Sequence, residues 1–92
     1  MNSTQPRILL VDDDAVFTGV MTRGFQRRGF AVLACGSGEE AVARCASFHP
    51  SHILLDLNMP GTSGLIALPL LLAAAPGARL VAPGGNGDRA AV

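Results

Sequence analysis

Three of the chain's seven acidic residues, Asp12, Asp13 and Asp14, stand together directly after the apolar run Ile8-Leu9-Leu10-Val11. A fourth, Asp56, directly follows a second apolar run, Ile53-Leu54-Leu55. Carboxylates gathered in one place repel one another and hold protons more tightly unless a cation neutralises them. A hard divalent ion such as Mg²⁺ suits such a group, since it takes one or two carboxylates, a carbonyl and waters. A carboxylate beside a metal can also act as a nucleophile toward a phosphoryl group. In the bland alternative, Asp13 or Asp14 only caps a helix and Asp56 is a solvated loop residue. The choice turns on whether the two apolar runs are neighbours.

The elements that must position these residues read plainly. Ile8 to Val11 is continuously apolar, as a strand buried on both faces of a parallel sheet would be. Phe17, Val20, Met21, Gly24 and Phe25 then recur at helical spacing, with Thr18, Thr22, Arg23, Gln26 and Arg27 on the opposite side. Asp13 or Asp14 can cap this helix, Arg27 and Arg28 suit its C-terminal end, and Gly29 ends it. Phe30 to Ala34 reads as a second strand. Ser37 and Glu40 stand at capping-box spacing for a helix to about Phe48, where Pro50 stops it. Ile53 to Leu55 is a third strand, and Asn58-Met59-Pro60-Gly61 a loop. Ser63 can cap a helix from Leu65 to Ala75, Pro76-Gly77 breaks it, and Leu80 to Ala82 reads as a fourth strand.

Strands alternating with helices call for right-handed crossovers and a parallel sheet with helices on both faces. Such sheets hold ligands at the carboxyl ends of their strands, beside the topological switch point. Both acidic features lie at strand carboxyl ends. That favours one converging site over two solvated loops.

Composition bounds the rest. A length of 92 residues accommodates one domain, and 49% apolar with 15% charged residues describes a chain that packs. Seven acids balance seven bases, so no net field steers it toward nucleic acid or anionic lipid. The longest apolar stretch, Leu65 to Ala75, is shorter than the ~20 residues of a membrane span. No signal peptide is visible, and a cytoplasmic address is expected. Cys35 and Cys45 match no metal or redox spacing and read as reduced, buried residues.

The stretch from Ile8 to Asp14, taken with Leu54-Leu55-Asp56-Leu57-Asn58-Met59-Pro60-Gly61-Thr62-Ser63-Gly64-Leu65, resembles the receiver domains of bacterial two-component response regulators. The likeness covers about residues 6–82 and leaves 83–92 as a loop-like tail of a single receiver-like domain. It implies an α/β, flavodoxin-like, doubly wound parallel sheet, truncated after about the fourth strand. It also implies that Asp56 is the phosphoacceptor, taking a phosphoryl group from a sensor histidine kinase. Asp12 and Asp13 would hold Mg²⁺ together with Asp56, Asp13 more directly, and Asn58 would offer its backbone carbonyl. Pro60, Gly61 and Gly64 would shape the loop. Output would pass through a downstream effector protein.

The departures from the family pattern matter too. The chain contains no lysine, and no Ser or Thr follows Ser63. The family's lysine after a fifth strand, its hydroxyl at the end of the fourth (where Gly84 stands) and its aromatic switch residue are therefore missing. An alternative function is a degenerate or truncated receiver that acts by protein contact with little phosphate control. A third reading takes Asp12-x-Asp14 as the start of a haloacid-dehalogenase-type phosphatase, but that family's downstream motifs are absent, and the chain is not expected to be an enzyme. His49 and His52 read as a helix end and a strand start rather than a metal pair. Arg23, Arg27 and Arg28 read as a solvated face, without direct nucleic-acid binding. The helix from Leu65, apolar around its whole circumference, and an open sheet edge together predict a homodimer, or disorder after Val81.

Overall fold

In the computed structural model, which describes residues 5–59 and 64–82, the run Arg7–Val11 forms a strand, β1, buried along almost its whole length. It is followed by α1 (Ala15–Arg27), β2 (Ala31–Cys35), α2 (Gly38–Phe48), β3 (His52–Leu55), α3 (Gly64–Ala74) and β4 (Arg79–Val81). Every element expected from the sequence is present, with strand limits moved by about one residue. The four strands form one parallel sheet in the order β2-β1-β3-β4. The chain therefore reverses direction across the sheet between β2 and β3, and the switch point lies beside β1.

Period-2 alternation divides the strands between two layers. Leu9, Val11, Ile53 and Leu55 point to one face, where Ala41 and Cys45 of α2 and Ala67 and Leu71 of α3 complete the core. Leu10 and Leu54 point to the other face, toward Phe17 and Met21 of α1. This is the doubly wound arrangement expected.

The helix ends follow local chemistry. Asp14 caps α1, its side chain accepting from the Phe17 amide at 3.0 Å. Ser37 caps α2 by accepting from the Glu40 amide at 3.1 Å, while Glu40 accepts from the Gly36 amide at 3.0 Å. That is the reciprocal pattern of a capping box, reaching one residue further back. α2 ends on His49, whose φ of 56° turns the chain left-handed ahead of Pro50. His52 is the first residue of β3, so the two histidines hold the structural positions expected of them.

The amphipathic pattern of α1 needs correction. Thr18, assigned to its polar side, is buried, with its hydroxyl donating to the Ala15 carbonyl at 3.2 Å. Phe17 and Val20, assigned to the apolar stripe, are 44% and 55% exposed. The helix packs over β1 and β2, so the edge of its stripe nearest β3 overhangs an open part of the sheet. A threonine that satisfies its own hydroxyl can then occupy the buried side.

Candidate functional site

β1 and β3 are adjacent and in register, Val11 opposite Leu55. The ladder continues one step further, with the Asp56 amide donating to the Val11 carbonyl at 2.9 Å. On the other side of β1, the Asp12 amide donates to the Cys35 carbonyl at 3.0 Å. Asp12 and Asp56 thus leave the sheet side by side, held by the backbone rather than by loop conformation. One carboxylate oxygen from each of Asp12, Asp13 and Asp56 lies within 4.8 Å of the others.

Short turns fix the side chains. Asp12 Oδ1 accepts from the Asp14 amide at 3.0 Å, and Asp56 Oδ1 accepts from the Asn58 amide at 2.9 Å. Each is an Asx-type turn, in which the carboxylate braces the loop that follows it. The second oxygen of Asp56 has no protein donor among the described residues. Asp12 and Asp56 are half-buried, while Asp13 and Asn58 are exposed.

The electrostatics are those of an unneutralised acidic group. Partial burial pushes the Asp12 carboxyl above its ordinary value, with repulsion from Asp56, Asp13 and Asp14 adding to it and the Asp14 amide opposing it. An ion pair between Arg44 and Glu40, at 3.3 Å, lies elsewhere on α2. Three hard oxygen donors, close together and with no ion-pair partner among the described residues, match what Mg²⁺ binds. Beside them, under Phe17 and Met21, an apolar cavity of about 320 Å³ runs along Leu10 and Leu54.

Of the residues singled out by sequence, the structure brings Asp12, Asp13 and Asp56 together and sets Asn58 against Asp56. Pro60 and Gly61 lie outside the described residues. Gly64 is buried at the start of α3, where a Cβ would stand 2.6 Å from the Asp56 carbonyl oxygen and 2.8 Å from the Leu57 Cα. The sequence marked Gly64 as a loop residue; its packing against the backbone of Asp56 carries no sequence signal beyond the glycine itself. Nor does charge or spacing mark Phe17 and Met21 as neighbours of the acidic group.

A family model described as the response regulator receiver domain matches residues 8–92. The chain belongs to that family. The match runs through residues 83–92, beyond the 6–82 over which the motifs were recognised in the sequence. Over 77 residues the chain is 40% identical to a protein-glutamate methylesterase/protein-glutamine glutaminase of Maricaulis maris, covering 82% of this chain and 19% of that protein. It spans only about a fifth of the length of the curated methylesterases it matches.

Among solved receiver structures, it is similar to a Burkholderia pseudomallei response regulator with a phosphorylated aspartic acid, calcium ion and citrate. There the identity is 33% and the TM-score 0.79, over 83% of this chain and 45% of that one. It also resembles TrrA of Thermotoga maritima in complex with Mg²⁺-BeF, at 29% identity and TM-score 0.74, over 83% and 66% of the two chains. A third likeness is to the complex of histidine kinase ThkA with TrrA, at 26% identity and TM-score 0.80, over 91% and 72%. The chain is thus a receiver domain of the two-component type, and among its described residues no helix is long and apolar enough to cross a membrane.

Proposed function

We propose that Asp56 accepts a phosphoryl group from a phosphohistidine of a sensor kinase in a two-component phosphorelay. The observation that carries this reading is the placement of Asp56. It stands at the carboxyl end of β3, in register with Asp12, with one oxygen held by Asn58 and the other without a protein donor among the described residues. A carboxylate oxygen of Asp56 attacks phosphorus, an O–P bond forms, and the N–P bond to the kinase imidazole breaks. The leaving nitrogen keeps the electron pair.

Asp12, Asp13 and Asp56, with the backbone carbonyl of Asn58, would hold Mg²⁺. When bound, the ion supplies positive charge against the repulsion between the acidic group and the incoming phosphoryl oxygens. The protein's own part is to hold the nucleophile: the Asn58 amide orients the carboxylate, and the Val11 carbonyl anchors its backbone. Pro60, Gly61 and Gly64 shape the loop that follows. Residues 1–92 act as one receiver unit in the cytoplasm, and a downstream effector protein reads its state. The relative bearing a phosphorylated aspartic acid and the one solved with a histidine kinase support this reading.

A second reading, a receiver acting by protein contact with little phosphate control, draws support from the end of β4. Gly84, at the place where the family pattern carries its hydroxyl, lies outside the described residues and as a glycine offers none to a phosphoryl group on Asp56.

Intact mass after incubation with a small phosphodonor and Mg²⁺ tests the first reading. The wild-type chain should gain the mass of one phosphoryl group and Asp56→Asn should not. An unmodified wild-type chain under these conditions overturns it in favour of the second.

A further inference from the structure

We propose that this chain pairs with a second copy of itself through the outer face of α3. Gly64, Ala67 and Leu71 turn that helix toward the core, with Leu68 packed beside them, and the opposite arc faces outward. On that side Leu65 is 64% exposed, Ile66 60%, Leu70 52% and Leu72 43%. Pro69, Ala73 and Ala74 lie exposed among them. At 3.6 residues per turn these seven positions form one continuous arc with no polar residue in it. From Gly64 to Ala78 the chain carries no charge at all.

Area and charge name the occupant. The arc presents an apolar patch on the order of 400 Å², a size at which a contiguous patch on a lone chain commonly marks an interaction site. Two such patches face to face cover roughly 800 Å², and their rims bring the total toward the ~1,200 Å² at which specific interfaces begin. A charged partner would lose hydration against a face that offers it no counter-charge. A helix lying on a membrane draws on lysine and arginine beside its apolar face, and the last turn of α3 has no basic residue. The partner that fits is another uncharged apolar helix face. A second copy supplies one at equal concentration, and the zero formal net charge of the chain sets up no repulsion between copies.

The patch is also self-complementary. Beside the protruding Leu70 runs a groove of about 250 Å³ between α2 and α3, lined by Gly38, Val42, Ala43 and Ala67, with Glu39 of α2 the one charged residue on it. A two-fold pairing lets each copy present leucines to the groove of the other, as an isologous interface requires. This surface is formed by α3 and α2 on the sheet face away from α1.

Sedimentation equilibrium of the full chain over a hundred-fold concentration range tests the proposal. The wild-type chain should approach twice the monomer mass as concentration rises. The exposed-site double variant Leu65→Glu/Leu70→Glu should keep its helical circular dichroism and associate at least ten-fold more weakly. A second measurement does not depend on that variant folding: Ala73→Cys, treated with a short bis-maleimide, should give covalent dimers, and Val16→Cys on α1 should not. A wild-type monomer at every concentration overturns the proposal. So does a folded double variant that dimerises as well as wild type, cross-linking at Val16→Cys instead, or a monomer that binds phosphatidylcholine vesicles through α3.

Discussion

Gly64 packs so closely against Asp56 that a Cβ on it would lie 2.6 Å from the Asp56 carbonyl oxygen. The obstacle is backbone on both sides, since the Leu57 Cα would be 2.8 Å away. No rotamer change relieves that contact. The start of α3 is thereby seated against the residue proposed to receive phosphate.

Gly64→Ala should therefore destabilise the fold by about 1–3 kcal/mol, the usual cost of overpacking. For a chain of this size that lowers the melting temperature by roughly 4–8 °C per kcal/mol. Gly24→Ala in α1, where nothing lies within 4 Å of the added Cβ, is the control. It should be neutral or stabilising by up to ~1 kcal/mol, since alanine favours a helix interior. Thermal denaturation of both variants checks the contrast.

Asp12 should behave as a destabilising charge in the absence of a divalent cation. Its carboxyl is raised above the ordinary value of 3.8, chiefly by burial, so its ionised form is disfavoured in the folded state. The unfavourable contribution is present above the folded value and is relieved as pH falls through it toward 3.8. Asp12→Asn keeps an oxygen for the Asp14 amide and should gain stability at neutral pH, by under about 1 kcal/mol for so open a site. The gain should vanish in acid, and Mg²⁺ should raise the melting temperature of wild type more than that of the variant. Melting curves at pH 7 with and without Mg²⁺, and in acid, read out all three effects.

The two cysteines should be inert in the folded chain. Both are buried, and burial pushes the Cys35 thiol up to about 11, with Glu40 adding to the effect. Thiol-reactive probes at pH 8 should label neither residue until denaturant is added, as mass spectrometry would show. Because the unfolded thiols ionise more readily, stability should also fall as pH rises above the ordinary thiol value of 9.0. Rapid labelling of the native chain would contradict the buried placement.

Ser37→Ala should cost about 1 kcal/mol through loss of the α2 cap. The Ser37 oxygen satisfies the Glu40 amide at 3.1 Å, and the Glu40 side chain returns a bond to the Gly36 amide at 3.0 Å. Glu40→Ala should cost less than additively in the Ser37→Ala background, because the two bonds brace one turn. A double-mutant cycle by urea denaturation measures that coupling.

Much of this protein was legible in its residues. The alternation of apolar runs with helical stripes set the order of strands and helices, because a strand buried on both faces and a helix buried on one leave different periodicities. The acidic group could be located at strand ends, and Ser37 with Glu40 identified a helix start that the structure places at Gly38. Those are local signals, carried by residues a few positions apart.

What only the tertiary structure decided depends on residues far apart in the chain. Residue order alone does not state that β1 lies between β2 and β3, yet that pairing brings Asp12 and Asp56 together across 44 positions of sequence. Burial on α1 went against its own pattern at Thr18 and Phe17, because the helix packs over β1 and β2 and overhangs the open sheet beyond them. Gly64 likewise shows its constraint only once α3 is seated on the backbone of Asp56. Periodicity states which side of an element is apolar; which part of that side finds a partner is set by packing between elements, where the free energy depends on three-dimensional fit.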